Sequence, residues 1–526
     1  MSGLRGIPRL RLLVDDQPLP HGAAATLAEV RIQQRSSLPT LCELIFHDPP
    51  ASLADGSQLV PGAWLRIAVE QRPQPVLFAG EITAVQYGYG PSQTRALTVR
   101  AYDQLHRLRK RQPVRTYSNA TPLELARELT ADLDLAVEAE TEDDGPRTPL
   151  RVQWRQSNLE LLSEATAAAG LYFVVYDQVL HLFSLQGFGE PIGLTYGEGL
   201  IEAEVEINAD PACRAVQTLA WDPALAEARD GSADTPRSGR EVPFDLDLAA
   251  LGVTAPRVLA DRVLPSHADA AALAQAELDR RVSGEVELRA TATGDPRLRP
   301  GARVQIQGLA PHVCGHYVLT TVTHTLDRRR GFLTRIDTAP PVGRRPESGT
   351  LTTIGVVTTV EDPDGLGRVR VTLPSYAGIE TGWLQVLSPG AGSAKGLVLL
   401  PDRDDLVLVL LPGADPAQGI VLGGLFGAQG PPDAGIADGK RRRFTLLTPD
   451  GQRIQLDEEK RTLRLESGRG DFLQLSPGRA RLGNNSGSYV ELGRDTLKIQ
   501  ATGDLDIAAP GHAVTIRGAS IDFEPA

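Results

Sequence analysis

A few residue patterns in this chain could carry chemistry, and each has a simpler reading. Gly390-Ala-Gly-Ser-Ala-Lys-Gly396 has the glycines and the lysine of a phosphate-cradling loop. It lacks the Gly-Lys-Ser/Thr ending, and no helical pattern follows, so it is expected to be a barrel loop. Asp362-Pro-Asp-Gly365 spaces carboxylates as a calcium loop does, but no glutamate stands at position twelve and Pro363 favours a turn. Cys42, Cys213 and Cys314 are far apart, with no Cys-x-x-Cys and no neighbouring histidine pair, which argues against a disulfide framework and a zinc site. His47, His106 and His324 fall within strand or helix patterns and read as structural. Trp154, Tyr172 and Phe173 read as core. Gly88-Tyr-Gly90 is no dinucleotide fingerprint. No catalytic, cofactor-binding or metal-ligating residue is therefore assigned, no cofactor is expected, and the chain is not read as an enzyme.

The elements around these patterns are mostly strands. Up to about residue 110, runs such as Leu27–Ile32, Leu41–Phe46, Trp64–Val69, Val76–Tyr87 and Ala96–Tyr102 are bounded by Gly, Pro and Asp. Two helices announce themselves by capping boxes: Thr121 with Glu124, followed by Pro122 at the first helical position, and Ser157 with Glu160, closed by Gly170. Leu171–Tyr176 and Val179–Phe183 are strands joined at Asp177-Gln178. Asp230–Arg240 reads as a polar loop, and Ser266–Arg281 as an Ala-rich third helix. Further strands are expected at 303–307, 316–324 and 331–336.

Ala339–Gly349 is a proline-rich linker. The next seventy-odd residues hold five or six short strands, among them Thr353–Thr358, Gly367–Leu373, Gly382–Val386, Leu397–Leu400, Leu406–Leu411 and Ile420–Gly423. That density fits a small Greek-key barrel of the OB type. The boundaries read as 1–340 for an N-terminal β/α region, 341–350 linker, 351–428 barrel, 429–441 linker and 442–526 repeat.

The repeat is the strongest signal. Apolar residues come in i, i+2 pairs at a period of roughly eight to nine residues. The pairs are Phe444/Leu446, Ile454/Leu456, Leu463/Leu465, Leu473/Leu475, Ala480/Leu482, Val490/Leu492, Leu497/Ile499, Leu505/Ile507, Val514/Ile516 and Ile521/Phe523. Turn formers such as Pro449-Asp450-Gly451 and Ser476-Pro477-Gly478 separate them. Each pair lies on one face of a very short strand, which cannot bury that face alone. One chain supplies about two large side chains per turn, thin for a private core. Three copies winding together would fill an apolar axis, so the repeat reads as a trimeric, intertwined β-helix. An ordinary antiparallel domain with regular hairpins is the alternative. The expected fold class is mainly β with minor α.

Composition agrees with a globular chain: 526 residues, 41% apolar, 23% charged, net charge −12. The basic runs Arg107–Arg111 and Lys440–Arg443 are short, so nucleic-acid binding is not expected. No secretory h-region or membrane-length apolar run is seen. The expectation is synthesis in the cytoplasm without a cleavable export signal.

In this order of parts the chain resembles the VgrG-type central spikes of contractile injection machines: type VI secretion, extracellular contractile injection systems and phage tails. The likeness rests on Tyr102-Asp-Gln-Leu-His-Arg-Leu108, Gln156–Glu164 with Gly170-Leu-Tyr-Phe173, Trp221-Asp-Pro223, Pro296–Gly301, Leu366–Val371, Gly382-Trp383 and Val421–Leu425. It implies a structural homotrimer whose N-terminal halves form a pseudo-hexameric hub on the inner tube and baseplate. The needle would puncture a target membrane in transient contact, and a PAAR-type tip protein would dock at Ile521, Asp522, Phe523 and Glu524. Some phage relatives carry a lysozyme before the needle; here only 427–440 lies there. With no toxic extension after Phe523, and only His512 where others have a His-x-His apex, the chain is most similar to extracellular injection spikes. The particle would be assembled in the cytoplasm or released. Two alternatives remain: a receptor- or carbohydrate-binding tail fibre, and a spike with cell-wall hydrolase activity.

Overall fold

A computed structural model describes residues 10–50, 53, 58–69, 75–222, 227–260, 264–342 and 349–524. Most of the expected linker 341–350 lies outside these residues, as does Pro223. Two compact units divide between Leu425 and Phe426.

In the first unit, an eleven-stranded sheet ties together strands far apart in the chain. Its order is Leu200–Ile207, Val286–Thr293, Gly331–Asp337, Thr321–Asp327, Leu27–Arg35, Leu41–His47, Arg95–Tyr102, Val76–Tyr89, Trp64–Val69, Leu10–Val14 and Gln17–Pro18. Thr321–Asp327 runs antiparallel to Leu27–Arg35, so Leu326 faces Val30 and His324 faces Ile32. The alternation expected of half-buried strands holds: Ile32, Leu44, Phe46 and Val99 fill one half-barrel core. Leu200, Leu288, Tyr317 and Ile336 fill another.

Both capping boxes form. Thr121 Oγ1 accepts from the Glu124 amide while Glu124 accepts from the Thr121 amide, and helix α1 (Pro122–Thr130) follows. Ser157 and Glu160 do the same for α2 (Asn158–Ala168). Leu125, Leu129, Leu161 and Leu162 from these helices pack on Phe173, Leu180 and Leu182. Asp177 and Gln178 both take positive φ, the two-residue hairpin turn that matches strand twist.

Asp230–Arg240 is a loop from residue 234 onward, as expected, but its first four residues are not. Glu227–Ala233 is a strand paired with Val216–Asp222, and α3 (His267–Ser283) lies across it. The reason is Gly231: a Cβ there would meet the Ala271 amide nitrogen at 2.3 Å. Glycine against the α3 backbone at Ala270 and Ala271 permits that approach, and the polar composition disguised it.

The barrel, within the same first unit, is a six-stranded sheet ordered Ile379–Glu380, Arg370–Leu373, Leu351–Thr359, Leu406–Leu411, Ile420–Leu425 and Gln385–Val386. Val369 and Leu384 exchange backbone hydrogen bonds at 2.8 and 2.9 Å and close it. Val357, Val371, Val407, Val409 and Val421 are fully buried inside. Gly382–Val386 shortens to Gln385–Val386, and Leu397–Leu400 forms no strand at all. The expected linker 429–441 is also corrected: Ile436–Ala437 pairs with Lys440–Arg441, and Arg443 binds Asp433 at 2.8 Å.

His324 is fully enclosed, 2.9 Å from Thr334 Oγ1, and burial pushes its pKa down to about 4. The folded state therefore resists a proton that the unfolded chain accepts near pH 6.5. Stability should fall as pH drops from about 6.5 toward 4, by about 2 kcal/mol between pH 7 and 5 from this residue. Denaturant unfolding of the native chain and of His324→Gln at the two pH values checks this; the variant should show the smaller loss.

Candidate functional site: the C-terminal meander

From Arg443 to Gln500 the chain forms seven short strands, each pairing antiparallel with the next. Local chemistry sets the turns. Pro477-Gly478 joins Ser476 to Arg479, with Gly478 at φ +71°. Asn484 accepts the amides of Ser486 and Ser488 with its own side chain, an Asx turn.

The register aligns the apolar pairs into two straight ladders on one face. One runs Phe444, Leu456, Leu463, Leu475, Ala480, Leu492, Leu497; the other Leu446, Ile454, Leu465, Leu473, Leu482, Val490, Ile499. Eleven of these fourteen side chains are 38–62% exposed. The second ladder lines an open groove of about 490 Å³.

The opposite face is better covered than the apolar one. Arg464 lies 4.2 Å from the Phe472 ring centre, Arg481 3.9 Å from that of Tyr489, and Lys498 5.5 Å from the same ring. Gly483, between Phe472 and Tyr489 in register, leaves the room: a Cβ would touch the Phe472 ring at 3.0 Å. Glu466 accepts from Arg464 at 2.8 Å and Arg453 at 2.6 Å, which hold its carboxyl below the usual range. A self-sufficient soluble domain hides apolar groups and shows charges; here the order is inverted. The consecutive hairpins match the pairing of the ordinary antiparallel alternative, but within this unit the described residues supply no second layer to cover the face.

After Gln500 the strands stop, which corrects the expected pairs from Leu505 to Phe523. Leu505, Ile507, Val514, Ile516, Ile521 and Phe523 are all exposed, and among the described residues none of them is in a strand. Of the tip residues, Asp522 accepts from the Ser520 hydroxyl at 3.0 Å, and Phe523 is 91% exposed. The four are not gathered into a pocket.

The other candidates resolve as packing. Asp362 accepts from the Asp364, Leu366 and Arg368 amides and binds the Arg368 guanidinium at 2.7 Å, so its lone pairs are taken. Gly390–Gly396 is a turn bridged between Gly392 and Lys395. His106 binds Glu81 at 2.7 Å within the hub. Cys42 and Cys213 are buried free thiols, and Cys314 is a half-buried one. Tyr172 and Phe173 are buried, while Trp154 packs edge-on against Tyr376 of the barrel at 5.3 Å.

One cluster was invisible in sequence. Parallel pairing of Ala136–Ala139 with Val179–Ser184 brings Glu138, Glu140 and His181 together, with possible ligand atoms within 4.8 Å of one another. His181 Nδ1 lies 2.6 Å from Glu140 and 3.0 Å from the Tyr176 hydroxyl, and burial lowers its pKa. Arg299 stacks 3.5 Å over Tyr176, supplying positive charge from the protein itself.

A mainly β N-terminal region, an OB barrel and a C-terminal β-meander are the parts of a fold shared with VgrG chains. The chain belongs to the family of the Alg8 N-terminal domain, whose model matches residues 22–328, and it carries the type VI secretion system/phage-baseplate injector OB domain over residues 353–426. Among solved structures, a chain of the lidded Francisella PdpA-VgrG complex is similar with TM-score 0.53 at 9% identity, covering 94% of this chain and 80% of that one. A chain of the lidless PdpA-VgrG complex reaches 0.52 at 9% identity, covering 95% and 100%. The E. coli c3393 protein is described as a component of the type VI secretion system with structural similarity to the T4 bacteriophage tail proteins gp27 and gp5. It reaches 0.50 at 15% identity, covering 79% and 99%. No curated protein matches the sequence.

Replacing Arg481 by Met keeps its apolar stem and removes the charge over Tyr489. The expected cost is about 0.5–1 kcal/mol, read as a lower unfolding temperature of the C-terminal unit.

Proposed function

We propose that the chain is the hub-and-spike component of a contractile injection particle, working as a trimer without enzymatic activity. The observation that carries this is the pair of uncovered, in-register apolar ladders. A fully buried leucine gains about 1.5–3 kcal/mol, so a half-exposed rung leaves roughly 1 kcal/mol ungained, repeated along seven strands. Three such faces turned inward would recover it around one axis, with the charged faces outward. A hydrogen-bonded sheet around a continuous apolar axis resists axial load, which is what a needle needs. The two half-barrel cores of the hub support a ring of six similar parts from three chains, seated on inner tube and baseplate. The exposed, unpaired segment to Ile521, Asp522, Phe523 and Glu524 would receive a PAAR-type cap, and the needle would meet the target membrane only in passing. The particle would be assembled in the cytoplasm and act there or after release.

A sugar-binding fibre is less well supported, because Phe472 and Tyr489 lie beneath arginines and Phe444 is on the apolar face. A zymogram on peptidoglycan tests the hydrolase reading, and cleavage would overturn the purely structural one.

Light scattering of the full chain should give three times 56.4 kDa. Leu473→Asp together with Leu482→Asp places charges along one ladder and should reduce the mass to a single copy. A wild-type mass of one chain would overturn the trimer. Deleting residues 511–526 should abolish binding of a PAAR-type cap while keeping the trimer; retained binding would exclude the tip residues.

A further inference from the structure

Glu138, Glu140 and His181 share one face of the small sheet built from Leu171–Tyr176, Val179–Ser184 and the edge strand Ala136–Ala139. Parallel pairing sets His181 beside Glu138, and Glu140 follows two residues on along the same side. One ligand atom from each residue can be chosen so that all three lie within 4.8 Å of one another. Bonds of about 2.1 Å from an imidazole nitrogen and carboxylate oxygens to a shared ion span at most about 4.2 Å, so a small side-chain rotation closes the gap.

An ordinary ion pair does not account for this group. His181 is 5% exposed, and its ring lies flat on that of Tyr176 at 3.7 Å, which fixes its orientation. Nδ1 lies against Glu140, but Nε2, buried as well, has no hydrogen-bond partner. Glu138 makes no hydrogen bond or ion pair among the described residues, and no arginine or lysine there pairs with Glu140. Burial lowers the His181 pKa and so keeps the imidazole neutral, the form that ligates metals. Arg299 does not take the place of an ion. Its guanidinium carbon and the His181 ring stand 3.5 and 3.7 Å from the centre of the Tyr176 ring, distances that two groups can share only from opposite faces. Arg299 therefore lends its charge across that ring and not to the carboxylates directly.

We propose that Glu138, Glu140 and His181 bind a divalent transition-metal cation of the zinc type, which pins the four-residue edge strand Ala136–Ala139 to its neighbour. A neutral imidazole among the ligands selects such an ion over calcium or magnesium, which take oxygen ligands. Water would complete the coordination on the exposed side, where Glu138 lies. The role is that of a structural staple, and it does not depend on how many copies of the chain assemble.

Calorimetric titration of the metal-stripped full-length chain with Zn²⁺ is the test. The wild type should bind one tight equivalent per chain and unfold at a higher temperature when loaded. Glu138→Gln and Glu140→Gln should each weaken binding by more than about tenfold. Glu138 has no partner to lose, so metal-free Glu138→Gln should unfold at the wild-type temperature, which separates lost binding from lost folding. Absence of Zn²⁺ binding overturns the proposal. Unchanged affinity in either variant also overturns it, and places the ion at a surface pair such as His267 with Asp230 or His316 with Glu241.

Discussion

A single layer of β-sheet has no inside. The C-terminal unit is one such layer, and every other property of that unit follows from it. Its seven strands satisfy their backbone groups by pairing in sequence order, so nothing drives the sheet to fold back on itself. The hydrophobic requirement is then unmet on one face only, and it is unmet in register: two straight lines of aliphatic side chains rather than scattered exposure. A line can be matched by identical lines on other copies, whereas a scattered patch cannot.

The charged face is arranged to remain in water. Arg464 and Arg481 lie over aromatic rings, and Arg453 and Arg479 pair with Glu466 and Glu491 across strands, so that long side chains are held flat along the sheet. The first unit solves the opposite problem. Pairing Thr321–Asp327 with Leu27–Arg35 brings strands some three hundred residues apart into one sheet and encloses two cores within one chain. That unit can carry buried polar groups such as His324 and Asp103, because its interior is its own.

What could be read in the sequence was mostly local. Thr121 with Glu124 and Ser157 with Glu160 start helices because side chain and amide satisfy each other within four residues. Asp177-Gln178 turns because both residues tolerate positive φ. The i, i+2 pairs up to Ile499 fall on one face because a strand has no other periodicity. Failures came where distant contacts decided. Glu227–Ala233 is a strand because α3 closes on Gly231, some forty residues away. Leu397–Leu400 has a strand's composition and no strand partner among the described residues. Glu138, Glu140 and His181 meet only through a parallel pairing that no short-range pattern encodes.

By itself, then, the sequence determined the β-rich class, the helix starts, the turns, the OB-like barrel and the period of the C-terminal repeat, because each depends on neighbours within a turn or a strand. Tertiary structure alone decided the register that turns apolar pairs into two unbroken ladders, the inversion of exposure between the two faces, and the point after Gln500 where pairing stops. The physical reason is that register and exposure are properties of strands placed side by side, and a side chain's burial depends on what lies across from it rather than on what precedes it in the chain.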